Sequence, residues 1–117
     1  MSIVEIPVSN EPNKTYKVLL ENQECTIKLY QKGKNIFLDL QVGAEQICYG
    51  AICLNLVPIV QVSSTAFSGN FVFVDILGDS APQYEEIGTR YFLVYYSKDT
   101  EIPNIIKQDV GNGYAQF

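Results

Sequence analysis

A chain of 117 residues with 47 % apolar content and a net charge of −5 fits a single folded domain with one core. Its 13 acidic and 8 basic residues argue against unaided binding to nucleic acid or an anionic membrane, both of which need clustered Lys and Arg. No stretch reaches the length of a membrane-spanning helix, and the opening Met1-Ser2-Ile3-Val4-Glu5-Ile6-Pro7 has neither the basic region nor the apolar core of a secretion signal.

In chain order the elements are short and extended. Ile3, Glu5 and Pro7 alternate with Val4, Ile6 and Val8 in an N-terminal strand that Pro7 ends or places at a sheet edge. After the loop at 9–13, Tyr16, Val18 and Leu20 alternate with Lys17 and Leu19 in a second strand. The polar turn at 21–24 leads to Cys25, Ile27 and Leu29 alternating with Thr26, Lys28 and Tyr30, the period of two of a half-buried strand. Gly33 supplies positive φ for a hairpin, and Ile36, Leu38 and Leu40 return on the other side of it. A turn at 42–45 opens a further apolar strand over 46–54, in which Gly50 marks a bulge. Residues 55–64 are ambiguous: Pro58 excludes a regular central strand.

Val72, Val74 and Ile76 form one face of a clear strand and Phe71, Phe73 and Asp75 the other. A short helical turn is expected around Tyr84-Glu85-Glu86, with Ser80 as cap and Pro82 in its first turn. Gly88 then turns the chain into Arg90-Tyr91-Phe92-Leu93-Val94-Tyr95-Tyr96, an unbroken aromatic and β-branched run that reads as a strand covered on both faces. The expected fold is all-β, a small antiparallel barrel or sandwich of about seven or eight short strands. The division is a domain over 1–97 and a segment over 98–117 that is either a flexible tail or an arm docking on a neighbouring subunit.

Chemistry is sparse. With no histidine, the commonest general base and metal ligand is missing, and Ser-His-Asp or Cys-His arrangements are impossible. Cys25, Cys48 and Cys53 have no metal-binding spacing and read as reduced, buried thiols, with a Cys48–Cys53 bridge left open. Asp75, Asp79, Glu85 and Glu86 gather near one turn and read as solvated turn residues rather than a calcium or glycosidase site. A small hydrolase would need two of Asp39, Asp75 and Asp79 close together and desolvated. Gly111-Asn112-Gly113 lacks the lysine and the strand-to-helix context of a phosphate loop. No catalytic residue, metal or cofactor is expected.

The aromatic residues carry more. Tyr91, Phe92, Tyr95 and Tyr96 with Phe71 and Phe73 are either a core with a covered second face or anchors of a protein–protein contact. Tyr114 and Phe117 of the tail join them as interface candidates. So does Arg90, which is either a solvated charge or the partner of a carboxylate such as Asp39 or Asp75.

The order of several pieces carries a resemblance. They are Ile6-Pro7-Val8 with Pro12-Asn13-Lys14-Thr15-Tyr16, then Cys25-Thr26-Ile27-Lys28-Leu29 with Phe37-Leu38-Asp39-Leu40, then Tyr49-Gly50-Ala51-Ile52-Cys53-Leu54. The closing block is Phe71-Val72-Phe73-Val74-Asp75, Gly78-Asp79, Pro82 and Glu86-Ile87-Gly88-Thr89-Arg90. In that order, over about residues 3–96, they resemble the small plug-like baseplate proteins of contractile-tailed bacteriophages, of the cyanophage baseplate plug type. The resemblance implies a structural virion protein made in the host cytoplasm, without enzymatic activity. It would sit in the tail baseplate and help close or line the tail channel together with hub and tail-tube proteins. A homo-oligomer, guessed as threefold, would suit a tail axis. The alternative is a carbohydrate- or receptor-binding β-module, with exposed tyrosines lining a groove beside polar partners.

Overall fold

Seven strands and one 3-10 turn make up the computed structural model, which describes residues 3–61 and 66–98. The strands are β1 (Ile3–Ile6), β2 (Asn13–Leu20), β3 (Gln23–Lys32), β4 (Asn35–Val42), β5 (Glu45–Ile52), β6 (Asn70–Asp75) and β7 (Tyr91–Tyr96). They form two antiparallel sheets, one in the order β2-β3-β4-β5 and one in the order β1-β7-β6. Of the two all-β arrangements open to the sequence, the fold is the sandwich.

The four-stranded sheet is a meander because its turns are the shortest that a hairpin allows. Glu21 and Asn22 (φ 49° and 65°) close β2 on β3, Gly33 (φ 63°) closes β3 on β4, and Gly43 (φ 58°) closes β4 on β5. Positive φ in two-residue loops matches the twist of the strands they join. β2 starts at Asn13, earlier than the alternation from Tyr16 indicates, because the long β3 reaches it: Asn13 pairs with Tyr30, and the Gln31 N–H donates to the Pro12 carbonyl at 2.8 Å. Gly50, at φ 59°, lies where the β4–β5 register shifts, so the expected bulge is present. β1 stops at Ile6, just before Pro7.

Strand parity builds the core. Cys25, Ile27 and Leu29 of β3 and Ile36, Leu38 and Leu40 of β4 face Ile6, Phe71, Phe73, Tyr91, Leu93 and Tyr95 of the other sheet, all buried. Burying side chains of this size contributes roughly 1.5–3 kcal/mol each. Phe67 stacks on Phe71 with ring centroids 5.6 Å apart, and Tyr95 meets both rings edge-on at 6.2 and 5.6 Å. The opposite parity of β6 and β7 is buried as well: Val72, Val74, Val94 and Tyr96 cluster on the outer face with Ile3, Leu56, Ile76 and Phe92 against them. The run through Tyr96 is therefore covered on both faces, as its composition indicates.

Side chains stitch the irregular parts to the sheets. The Gln23 amide holds Ser68 at both ends, donating to its carbonyl at 3.1 Å and accepting from its N–H at 2.7 Å, and also donates to the Leu20 carbonyl at 3.1 Å. Asn70 brackets Val60 in the same way, at 2.9 Å on both sides. The Leu56 and Ile59 N–H groups donate to the carbonyls of Phe73 and Phe71, so the segment around Pro58 lies along the edge of β6 without becoming a strand. The turn at Tyr84–Glu86 is 3-10 and begins after Gln83, with no side-chain cap. Ser80 does not cap it, because its N–H is held by Asp75 and its hydroxyl lies 3.1 Å from that of Tyr91. Pro82 precedes the turn rather than opening it. All three cysteines are free thiols, which closes the Cys48–Cys53 alternative. Burial pushes Cys25 up to about 11.

Gly69 is the tightest backbone position. A Cβ there would lie 2.4–2.6 Å from the Tyr95 ring and hydroxyl, at a φ of 96°. Tyr95 has no room to move: its ring is fully buried, and its hydroxyl lies 2.5 Å from Glu21 Oε1 and 2.9 Å from the Ser68 carbonyl. Gly69→Ala is predicted to destabilise the fold by about 2–5 kcal/mol, the sum of left-handed backbone strain and core overpacking. Urea denaturation of the purified variant reads this; a midpoint equal to that of the wild type would contradict the tight packing.

Candidate functional site

The strongest electrostatic feature joins the two ends of the β6–β7 connection. Asp75, the last residue of β6, has a side chain with no solvent exposure. Its carboxylate accepts from Arg90 Nε at 2.8 Å and Nη2 at 2.9 Å, a two-pronged pair. It also accepts from the N–H groups of Leu77 at 2.9 Å and Ser80 at 2.8 Å. Of the two carboxylates open to Arg90 by sequence, Asp75 is the partner. Asp39 is engaged elsewhere, accepting from the Tyr30 hydroxyl at 3.0 Å and the Gly50 N–H at 2.7 Å. The Arg90 guanidinium also lies 5.0 Å over the Tyr91 ring.

The Arg90 hydrogen bonds, helped by those from Ser80 and Leu77 and opposed by burial, hold the Asp75 carboxyl well below the usual carboxylate range. An acid held so firmly in its charged form is a structural anion and a poor proton donor. Asp79 is exposed and lies 3.4 Å from the Asn55 amide, so the three aspartates are committed to three different sets of partners. Among the described residues no group of three or more Cys, Asp or Glu could hold a metal ion.

The aromatic candidates divide by parity. Phe71, Phe73, Tyr91 and Tyr95 lie between the sheets, each at most 1 % exposed, and their rings are core rather than surface. Tyr96 and Phe92 lie on the outer face of the three-stranded sheet. Tyr114 and Phe117, with the rest of the segment over 99–117, fall outside the described residues. The large apolar side chains that are exposed are others: Tyr49 at 76 %, Ile52 at 44 %, Val57 at 38 %, with Leu19 and Leu77 apart from them. Tyr49, Ile52 and Val57 border an open slot of about 560 Å³ beside β5. The sequence signal for that slot was Ile52 itself, an apolar residue on the solvent parity of an edge strand, opposite Phe37.

Another, smaller depression of about 270 Å³ lies on the outer face of the four-stranded sheet, lined by Thr15, Thr26, Lys28, Asp39, Gln41, Gln46 and Tyr49.

Comparison with protein families gives a match to the family described as cyanophage baseplate Pam3 plug gp18, over residues 3–99. The chain belongs to this baseplate plug family. No curated protein matches the chain in sequence. Membership makes it a structural protein of the phage baseplate, and the match takes in all seven strands, including the Asp75, Gly78 and Arg90 block. Gly78 fits that block sterically, since a Cβ there would come within 3.3 Å of Arg90 Nη2 and 3.4 Å of Asp75 Oδ2.

Removing the Asp75 carboxylate leaves the half-buried Arg90 guanidinium with only Glu86, 3.9 Å away, and leaves the Leu77 and Ser80 N–H groups without their acceptor. Asp75→Ala is predicted to lower unfolding stability by about 3–5 kcal/mol. Because the folded-state carboxyl titrates below its unfolded value, its stabilisation is present above about pH 4 and is lost as the pH falls through the lowered value. The gap between wild type and Asp75→Asn in denaturant titrations should be full at pH 6 and narrow steadily below about pH 4. A gap that is constant down to pH 2 would contradict the assignment.

Proposed function

We propose that the chain acts as a plug or hub component of a contractile-phage tail baseplate, closing or lining the central tail channel by assembly with hub and tail-tube proteins and without turnover. The observation that carries this reading is the family match over residues 3–99. Three features support it. Asp75, the most strongly perturbed acid, is committed to an arginine. Three large apolar side chains, Tyr49, Ile52 and Val57, are exposed together around the slot beside β5. The net charge of −5 suits a channel through which DNA must pass without adhering.

Assembly around a tail axis favours cyclic symmetry, and a threefold ring is the arrangement proposed. Phe92 and Tyr96 remain the aromatic candidates for contacts from β7.

Cross-linking mass spectrometry on purified virions tests the reading. Links from this chain to hub and tail-tube proteins are expected, at a copy number divisible by three; links confined to head or collar proteins would reject the baseplate location.

A second reading, a carbohydrate- or receptor-binding module, is favoured by one observation: the exposed Tyr49 beside Thr15, Thr26, Lys28, Asp39, Gln41 and Gln46. Glycan-array binding by the isolated chain, lost in Tyr49→Ala, would support that reading over the first.

A further inference from the structure

We propose that the outer edge of β5, with the apolar slot beside it, receives an extended, uncharged segment of another baseplate chain as an added strand. The inference rests on the baseplate reading and names the partner chemistry of one surface.

The edge is open. β5 ends the four-stranded sheet, and among the described residues no strand pairs with its far side. The Cys53 N–H donates to the Ile36 carbonyl at 2.9 Å, which makes Ile52 and Phe37 a non-hydrogen-bonded pair. In such a pair the N–H and carbonyl groups point away from the partner strand, so those of Ile52 face the open edge. An unpaired edge selects an extended backbone, and pockets beside it select alternate side chains.

The slot beside the edge selects apolar ones. Ile47, Ala51 and Ile52 line one side and Val57, Pro58 and Ile59 the other; the remaining lining residues, Gln46, Cys48, Tyr49 and Gln61, carry no charge at neutral pH. In a chain with 21 charged side chains, 13 acidic and 8 basic, the slot along this edge carries neither an acid nor a base, whereas exposed edges are commonly guarded by charge.

The wall decides between a foreign segment and a second copy. Residues 56 and 59 are hydrogen-bonded to β6, so the wall they carry is fixed beside the edge. A second copy pairing β5 to β5 would bring its own wall and its own Gly50 bulge to the same place. A lone strand enters between wall and edge without that duplication.

The test uses assembled tails. A photo-crosslinking amino acid replaces Tyr49 in the chain supplied to a phage lacking the gene, and purified tails are irradiated. Cross-links to a different baseplate protein, in a segment of alternating apolar residues without charge, are expected. Cross-links to another copy of this chain, or none when the same probe at Leu19, 59 % exposed on β2 at the opposite edge of that sheet, reacts, overturn the proposal.

In parallel, Ile52→Lys is expected to enter baseplates at least tenfold less than wild type, with Leu19→Lys entering normally. Melting curves identify any variant that fails to fold, and Tyr49→Asp then takes its place. If the wild-type chain is itself absent from baseplates, the functional reading fails. If it is present and Ile52→Lys enters equally well, only the edge proposal fails.

Discussion

A carboxylate without access to water sits where β6 ends, and the second half of the sandwich is organised around it. Asp75 is held by four hydrogen bonds, two from Arg90 at the threshold of β7 and two from the turn that follows β6. Burying the anion is unfavourable on its own, so the site exists only when all four donors converge. Those donors come from both ends of a long connection, and their convergence fixes how β6 and β7 align. Alignment matters because both faces of this pair are apolar. A slip of one residue would exchange Phe71, Phe73, Tyr91 and Tyr95 for Val72, Val74 and Val94, and the hydrophobic pattern alone resists that exchange weakly. The ion pair supplies the register that composition leaves loose.

The meander was legible in the sequence because its strands are half buried. In β3 and β4 the alternation of Cys25, Ile27 and Leu29 with Thr26, Lys28 and Tyr30, and of Ile36, Leu38 and Leu40 with Phe37 and Asp39, reports directly which face is inside. The all-β class and the glycine bulge follow from the same local rules. β7 was legible as a strand and as doubly covered, but six consecutive large residues cannot say which parity faces which neighbour. For that reason core rings, Tyr91 and Tyr95, and outer-face rings, Phe92 and Tyr96, look alike in the sequence.

What the sequence concealed depended on side chains reaching across the fold. The path of residues 55–60 is held by amide side chains, Asn70 gripping Val60 and Asn55 accepting from the Asp75 N–H, and none of these three bonds follows from local propensity. Ser80 fails as a cap because a carboxylate five residues earlier takes its N–H. Arg90 had two acids within reason, and the choice fell to Asp75 because Tyr30 and the bulge at Gly50 had already claimed Asp39. The slot beside β5 was hidden for a related reason: one of its walls comes from the segment whose course the sequence left ambiguous.

The pairing of β1 with β7 joins residues near the two ends of the described chain, Ile3 opposite Tyr96 and Ile6 opposite Leu93. Synthesis runs from the first strand to the last, so β1 leaves the ribosome long before the strand it needs. The meander from β2 to β5 is built of neighbours in sequence and assembles as it emerges, whereas the second sheet waits for β7 at its centre. During that interval the inner face of the meander, Ile27, Leu29, Leu38 and Leu40, is exposed without its lid. The protein therefore has a built-in window of stickiness during every round of synthesis. It closes only when a strand from the far end of the sequence slides between β1 and β6.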